Sequence, residues 1–190
     1  KLASGVDDMD LNLEDFAQRV NSELVGKITN LASRGAQMLN KRMDGCMSDC
    51  DPQGAPLLKK AQEQAEIVAD HYENRDCFRA LNIIRSLADD ANRYFDEKSP
   101  WKTIESDPAG TKQVLTSTLN IFRVLAIYLQ PILPEYTKKA ACLYKENPDN
   151  TPYKWTDINK TILNQKIADY EMLAVRIEPA KIKAMLEPAS

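Results

Sequence analysis

Among 190 residues the chain has one histidine, His71, and six glycines. His71 sits in "VADHYENR" with no evident nucleophile partner, which removes most triad and acid–base chemistry. No Walker loop or Gly-rich dinucleotide turn is present. The most apolar run, "LNIFRVLAIYLQPIL" from Leu119 to Leu133, carries Asn120, Arg123 and Gln130 and falls short of the roughly 20 residues a membrane span needs. It reads as a buried helix, and no membrane partner is expected. An excess of positive charge is also missing: 25 Lys and Arg stand against 28 Asp and Glu, a net charge of -3. A polyanion must therefore meet a local patch instead of a generally basic surface, and DNA is not an expected partner.

Four scattered cysteines in a chain able to bury a core point to reduced thiols and a cytoplasmic setting. The "CMSDC" pair, Cys46 and Cys50, lacks the second close pair that a tetrahedral zinc site needs, so no metal site is expected. The chain starts at Lys1 and its first methionine is Met9, without a basic-then-apolar leader. We read it as one domain excised from a longer polypeptide.

Between the prolines and glycines the apolar residues recur with a helical period. Asn12, with Asp15 three residues on, predicts a helix from Leu13. That helix runs to about Met43, with a bend near Asn21 or Gly26 and with Leu24, Ile28, Leu31, Met38 and Met43 on its buried face. Further helices are predicted over Pro56–Glu73, Cys77–Glu97, Lys112–Leu129 and from Pro134 through "PEYTKKAACLYKE". The third has an apolar stripe of Phe78, Leu81, Ile84, Leu87 or Ala88, Ala91 and Phe95. "KSPWKTIESDPAGT" breaks the pattern, "NPDNTPYKW" reads as a loop, "MLAVRI" as extended, and "EPAKIKAMLE" as a short closing helix. Without alternating runs for a sheet, the fold class is an all-α bundle of about five helices.

Charge is segregated at the start of this bundle. Lys1 to Glu23 holds six acids and two bases, whereas Leu24 to Met43 holds no acid. Lys27, Asn30, Arg34, Gln37 and Lys41 recur at alternating steps of three and four, one polar line rotated away from the apolar one. The line is either a solvated face or a binding face. The amide of Asn30 and the planar fork of Arg34, a helical turn apart, can together read a base edge or grip a phosphate. Trp101, after Pro100, either covers the core or offers a ring on which a base can stack. Asp89, Asn92 and Asp96 share a face of the third helix, serving either solubility or the orientation of Arg34 or Arg93.

"DLNLEDFAQRVNSELVGKITNLASR", "NKRMDG", "LADDANRYFDEKSPW" and "NIFRVLAIYLQPILP", in this order, resemble the C-terminal anticodon-binding domain of methionyl-tRNA synthetases, class I aminoacyl-tRNA synthetases. "NL-x-x-R" alone is shared loosely with related class I enzymes; the pairing of "NLASR" with "ANRYFDEKSPW" is more specific to the methionine family. The resemblance implies a helix bundle that reads the CAU anticodon of methionine tRNA. It implies an anticodon pocket of Asn30, Arg34 and Trp101, with Pro100 placing the ring and the wobble-position cytosine stacked on it. Asp89, Asn92, Asp96 and Arg176 follow as support, and Lys27, Lys41 and Arg42 as phosphate contacts. It implies a leader, 1–12, joining the helical domain 13–190 to a catalytic domain before Lys1. That part would hold ATP, magnesium and a zinc-bearing insertion and attach methionine to tRNA, leaving this fragment without a catalytic site or cofactor. The loop "GCMSDCDPQGAPL" is richer in cysteine than the family pattern, which leaves Cys46 and Cys50 without a role. Two rivals stand beside this reading: the anticodon domain of another class I synthetase, and a helical protein-interaction bundle with no RNA role.

Overall fold

In a computed structural model of the chain, which describes residues 12–146 and 151–186, Asn12 starts the first helix as its sequence position asks. Its side-chain oxygen accepts the Asp15 N–H at 3.0 Å, satisfying a donor that the first turn would leave open. Helix α1 (Leu13–Arg19) continues through a π-helical stretch, Val20–Thr29, into α2 (Asn30–Arg42). The expected bend at Asn21 or Gly26 is thus a widened coil, in which a Cβ on Gly26 would stand 3.1 Å from the Asn21 carbonyl.

The predicted second helix is two: α3 (Gly54–Glu63) and α4 (Ala65–Glu73). Asp51 caps α3 by accepting the Gln53 and Gly54 N–H groups at 3.1 Å each. Gly54 lies where a Cβ would meet the Ser117 side chain at 2.5 Å, so α3 approaches its neighbour as only glycine permits. Helix α5 (Cys77–Lys98) buries Ala80, Ile84, Leu87, Ala88, Ala91 and Phe95, but Phe78 of the expected stripe faces outward. The segment read as a break contains a single turn, α6 (Pro100–Thr103). Helix α7 (Pro108–Leu129) starts four residues before the expected Lys112, because Asp107 accepts the Gly110 N–H at 2.9 Å and Pro108 takes the first helical position. Helix α8 (Pro134–Leu143), a 3₁₀ turn (Trp155–Asn159) and α9 (Pro179–Leu186) complete the bundle. "MLAVRI", read as extended, forms no helix and no strand and bends at Leu173; among the described residues the one β-bridge joins Cys46 to Lys166. All but the last residue of the expected leader 1–12 lies outside the described residues. No described helix is long and apolar enough to cross a membrane.

Every residue of α7 from Val114 to Leu129 is buried, with α2, α3, α5 and α8 packed around it. The extended segment after α8 then needs partners for its backbone, and side-chain amides supply them. Gln130 exchanges two hydrogen bonds with the backbone of Tyr153 (2.9 and 3.0 Å), and Asn120 does so with Ile162 (2.7 and 2.9 Å). Asn40 binds Ala168 and Tyr170, each at 3.2 Å, and Asn21 binds Ile177 at 2.7 and 2.9 Å. Three helix-borne amides and that of Gln130, just past the end of α7, thereby do what a neighbouring strand would do.

Arg123 is 1% exposed in the middle of α7. Its guanidinium meets the Glu146 carboxylate with two bonds, at 2.6 and 3.0 Å, and donates to the carbonyls of Asp157 and Lys160 at 2.8 and 3.1 Å. Tyr153 and Lys160 donate to the same carboxylate at 2.9 Å each. Burial favours the neutral form of Glu146, but these hydrogen bonds and the adjacent charges prevail and hold its carboxyl below the usual glutamate value. A depressed carboxyl contributes stability in full above the ordinary value of 4.5 and loses it as pH falls through the folded value. Melting temperatures from pH 7 to pH 3 should therefore fall more steeply for the wild type than for Glu146→Gln. Arg123→Met, which strands the carboxylate without its main partner, should cost about 3–5 kcal/mol in denaturant unfolding.

Candidate functional site

The buried residues of α2 (Leu31, Ala32, Gly35, Ala36 and Leu39) press against the core, and a Cβ on Gly35 would stand 3.2 Å from Leu119 of α7. That close seating turns Asn30, Arg34, Gln37 and Lys41 outward along one line. Lys27 precedes α2 inside the π-helical stretch, so its place on the line comes from wider turns than the sequence spacing assumed.

The Arg34 guanidinium carbon lies 4.4 Å from the Phe95 ring centre and 5.0 Å from that of Trp101. The two rings are 5.9 Å apart and tilted by 36°. Arg34 also donates to Asp96 at 2.9 Å. Held by two π faces and a carboxylate, the fork loses much of its freedom before any ligand arrives. Phe95 is fully buried, whereas Trp101 is 42% exposed. The indole is therefore a half-open ring at the rim and not a lid over the core.

Backbone geometry puts it there. Helix α5 ends at Ser99, whose φ of 45° is left-handed, with its N–H on the Phe95 carbonyl at 3.0 Å and its hydroxyl on the Asp96 carbonyl at 2.7 Å. Pro100, buried, then opens α6, and Trp101 is the next residue.

The polar face of α5 is spent on the first helix. Asp89 pairs with Lys27 at 2.9 Å, Asn92 donates to the Ala88 carbonyl at 2.8 Å and to that of Lys27 at 3.4 Å, and Asp96 holds Arg34. Arg93 pairs with Asp90, so the carboxylate that orients an arginine of the site is Asp96 on Arg34. The hydrogen bond to Asp89 raises the pKa of Lys27, against the effect of burial and with help from Glu23. Of the three cations expected on phosphates, Lys27 and Arg42 already hold carboxylates, the latter Glu105 at 2.9 Å. Lys41 bonds only the Gln37 amide, at 3.4 Å, among the described residues.

Asn30 has no side-chain hydrogen bond among the described residues. It borders a groove of about 470 Å³ with Ser33 and Gln37 on one side and Met172, Val175 and Arg176 on the other. The expected support residue Arg176 thus reaches the same groove as Asn30. His71 falls in the last turn of α4. All four cysteines are free, Cys46 bonds the Asp44 carbonyl, and burial pushes the Cys50 thiol up. No cluster of three or more potential metal ligands occurs among the described residues.

Periodicity puts Phe95 in the core stripe without indicating that its ring also floors Arg34. The wall formed by Met172 and Val175 has no signal in a stretch read only as extended. If Ser99 sets the indole, Ser99→Gly should leave stability and tryptophan emission near wild type. Ser99→Val, a β-branched residue at positive φ, should cost about 1–3 kcal/mol and shift the emission.

A family model for the anticodon binding domain of methionyl tRNA ligase matches residues 47–183, which include Trp101 but not Asn30 or Arg34. The chain is 62% identical over 187 residues to methionine–tRNA ligase of Bdellovibrio bacteriovorus, covering 98% of this chain and 27% of that protein. It therefore spans about a quarter of the length of this curated relative. The free-state crystal structure of Mycobacterium tuberculosis methionyl-tRNA synthetase superposes with a TM-score of 0.81 at 25% identity, over 89% of this chain and 35% of that one. The same enzyme in complex with methionyl-adenylate gives 0.76 at 26% identity, over 84% and 33%.

Proposed function

The chain belongs to the family of anticodon-binding domains of methionyl-tRNA ligases, and on that premise we propose that it binds the anticodon loop of methionine tRNA and reads CAU. The observation that carries the reading is the seating of Arg34 between Phe95, Trp101 and Asp96, one helical turn from an Asn30 amide that has no partner among the described residues. Sequence-specific RNA recognition favours unpaired bases that can splay onto aromatic rings. The wobble-position cytosine stacks on the open face of Trp101, which is worth about 1–3 kcal/mol. Arg34 donates to the acceptors on its edge, and the Asn30 carbonyl accepts from its amine. A pre-oriented arginine makes those bonds at a smaller entropic cost than a free one.

Arg176 reads or clamps from the opposite side of the groove. Asp89 and Asn92 act through the first helix by holding Lys27. Lys41 is the phosphate contact least committed to other partners; Lys27 and Arg42 reach phosphates only by sharing their carboxylates. The acidic total suits this role, because a small cationic face discriminates where a generally basic surface would hold any RNA.

In this reading residues 13–190 form the anticodon unit, and 1–12 lead to a catalytic domain of the same polypeptide. That enzyme attaches methionine to tRNA with ATP in the cytoplasm. No residue of this chain is assigned to ATP, magnesium or zinc.

Titration of the full-length enzyme with a CAU stem-loop and with scrambled loops, at two salt concentrations, tests the proposal. Trp101→Ala should weaken the cognate loop about 10- to 100-fold and relax the preference at its first base. Lys41→Ala should weaken all loops alike and lower the salt slope by about one. Wild-type binding that ignores loop sequence would sink the reading.

A further inference from the structure

We infer that Asn21 and Asn40 are positioning residues for the base-reading groove: they clasp the segment between Tyr170 and Ile177 onto the first helix and so fix where Arg176 meets RNA. The inference rests on the proposed anticodon reading.

Both amides belong to the continuous helix that carries Asn30 and Arg34, one on each side of the groove. Asn40 donates to the Ala168 carbonyl and accepts from Tyr170 N–H, each at 3.2 Å. Asn21 donates to the Ile177 carbonyl at 2.9 Å and accepts from its N–H at 2.7 Å. Among the described residues, the backbone of 169–177 takes its hydrogen bonds from these two side chains alone. One buried side chain between the clasps, Leu173, anchors the strap, while Met172 and Val175 are 64% and 60% exposed. Arg176 directly precedes the Asn21 clasp and lines the groove opposite Asn30.

Between the clasps the strap is held by side-chain packing alone, Leu173 buried and Ala174 partly so against the core, so the position of its backbone near Arg176 depends on the Asn21 pin. Releasing Asn21 frees Arg176 to wander, and RNA must then order it at the moment of binding. Asn21 lies within the π-helical stretch together with Gly26, where an added Cβ would stand 3.1 Å from the Asn21 carbonyl.

Asn21→Leu and Asn40→Leu remove each clasp with little change of shape and no change of charge. In the full-length enzyme we would measure binding of the CAU stem-loop and of three loops with one anticodon base replaced in each, together with melting temperature. Asn21→Leu should lose about tenfold in cognate affinity and flatten the ratio between cognate and altered loops. Combined with Arg176→Ala it should add little, because the two changes break one unit. If both leucine variants melt earlier yet keep the wild-type ratios, or if Asn21→Leu and Arg176→Ala are additive, the inference is overturned. Should Asn21→Leu fail to fold, Asn40→Leu applies the same ratio test at the other clasp. Failure of the wild type to discriminate would overturn the anticodon reading itself, whereas discrimination that survives in the variants overturns only the clasps.

Discussion

Arg123 places a positive charge, 1% exposed, in the middle of a helix whose residues from Val114 to Leu129 are all buried. A guanidinium there is tolerable only if each of its donors is met. Glu146 supplies the charge partner and the 3₁₀ turn supplies two carbonyls, so the chain after α8 has to fold back across α7. Tyr153 and Lys160 complete the shell around the carboxylate. The return of the chain from Glu146 to Lys160 satisfies this one ion pair.

Once turned back, that segment crosses the bundle without a sheet to join. Its backbone is served by Gln130, Asn120, Asn40 and Asn21 in turn, which carries it from the buried centre to the outer face of the first helix. The same packing that buries α7 also exposes the site. Gly35 lets α2 sit close on Leu119, and Phe95 fills the core with its ring while offering a face to Arg34. Core and binding face therefore share residues. Loss of packing beneath Arg34 would be felt as loss of recognition above it.

Much of the bundle was legible because helical periodicity, caps and prolines are local signals. Asn12 with Asp15, the stripe on α5 and Pro134 each act within a turn or two, where sequence neighbours are spatial neighbours. The misplaced starts have local causes as well: "SDPAG" reads as a turn, yet Asp107 and Pro108 form a cap and first residue. The pairing of Asn30 with Arg34 and the interest of Trp101 were likewise visible from spacing and residue type. The partners of these side chains were not, since Arg34 and Asp96 stand 62 positions apart.

By itself the sequence determined the helical class, the cationic line on an acidic chain and the identity of the residues that carry its chemistry. Residue type and helical spacing depend on a few bonds and on the backbone's fixed period. Only the tertiary structure decided that Lys27 and Arg42 are already paired, that Asn92 braces two helices, and that residues 170–177 wall the groove. Those outcomes turn on which side chains meet across long stretches of chain. Packing around the buried length of α7 from Val114 to Leu129 and around a buried charge settles that, and neither is a local property.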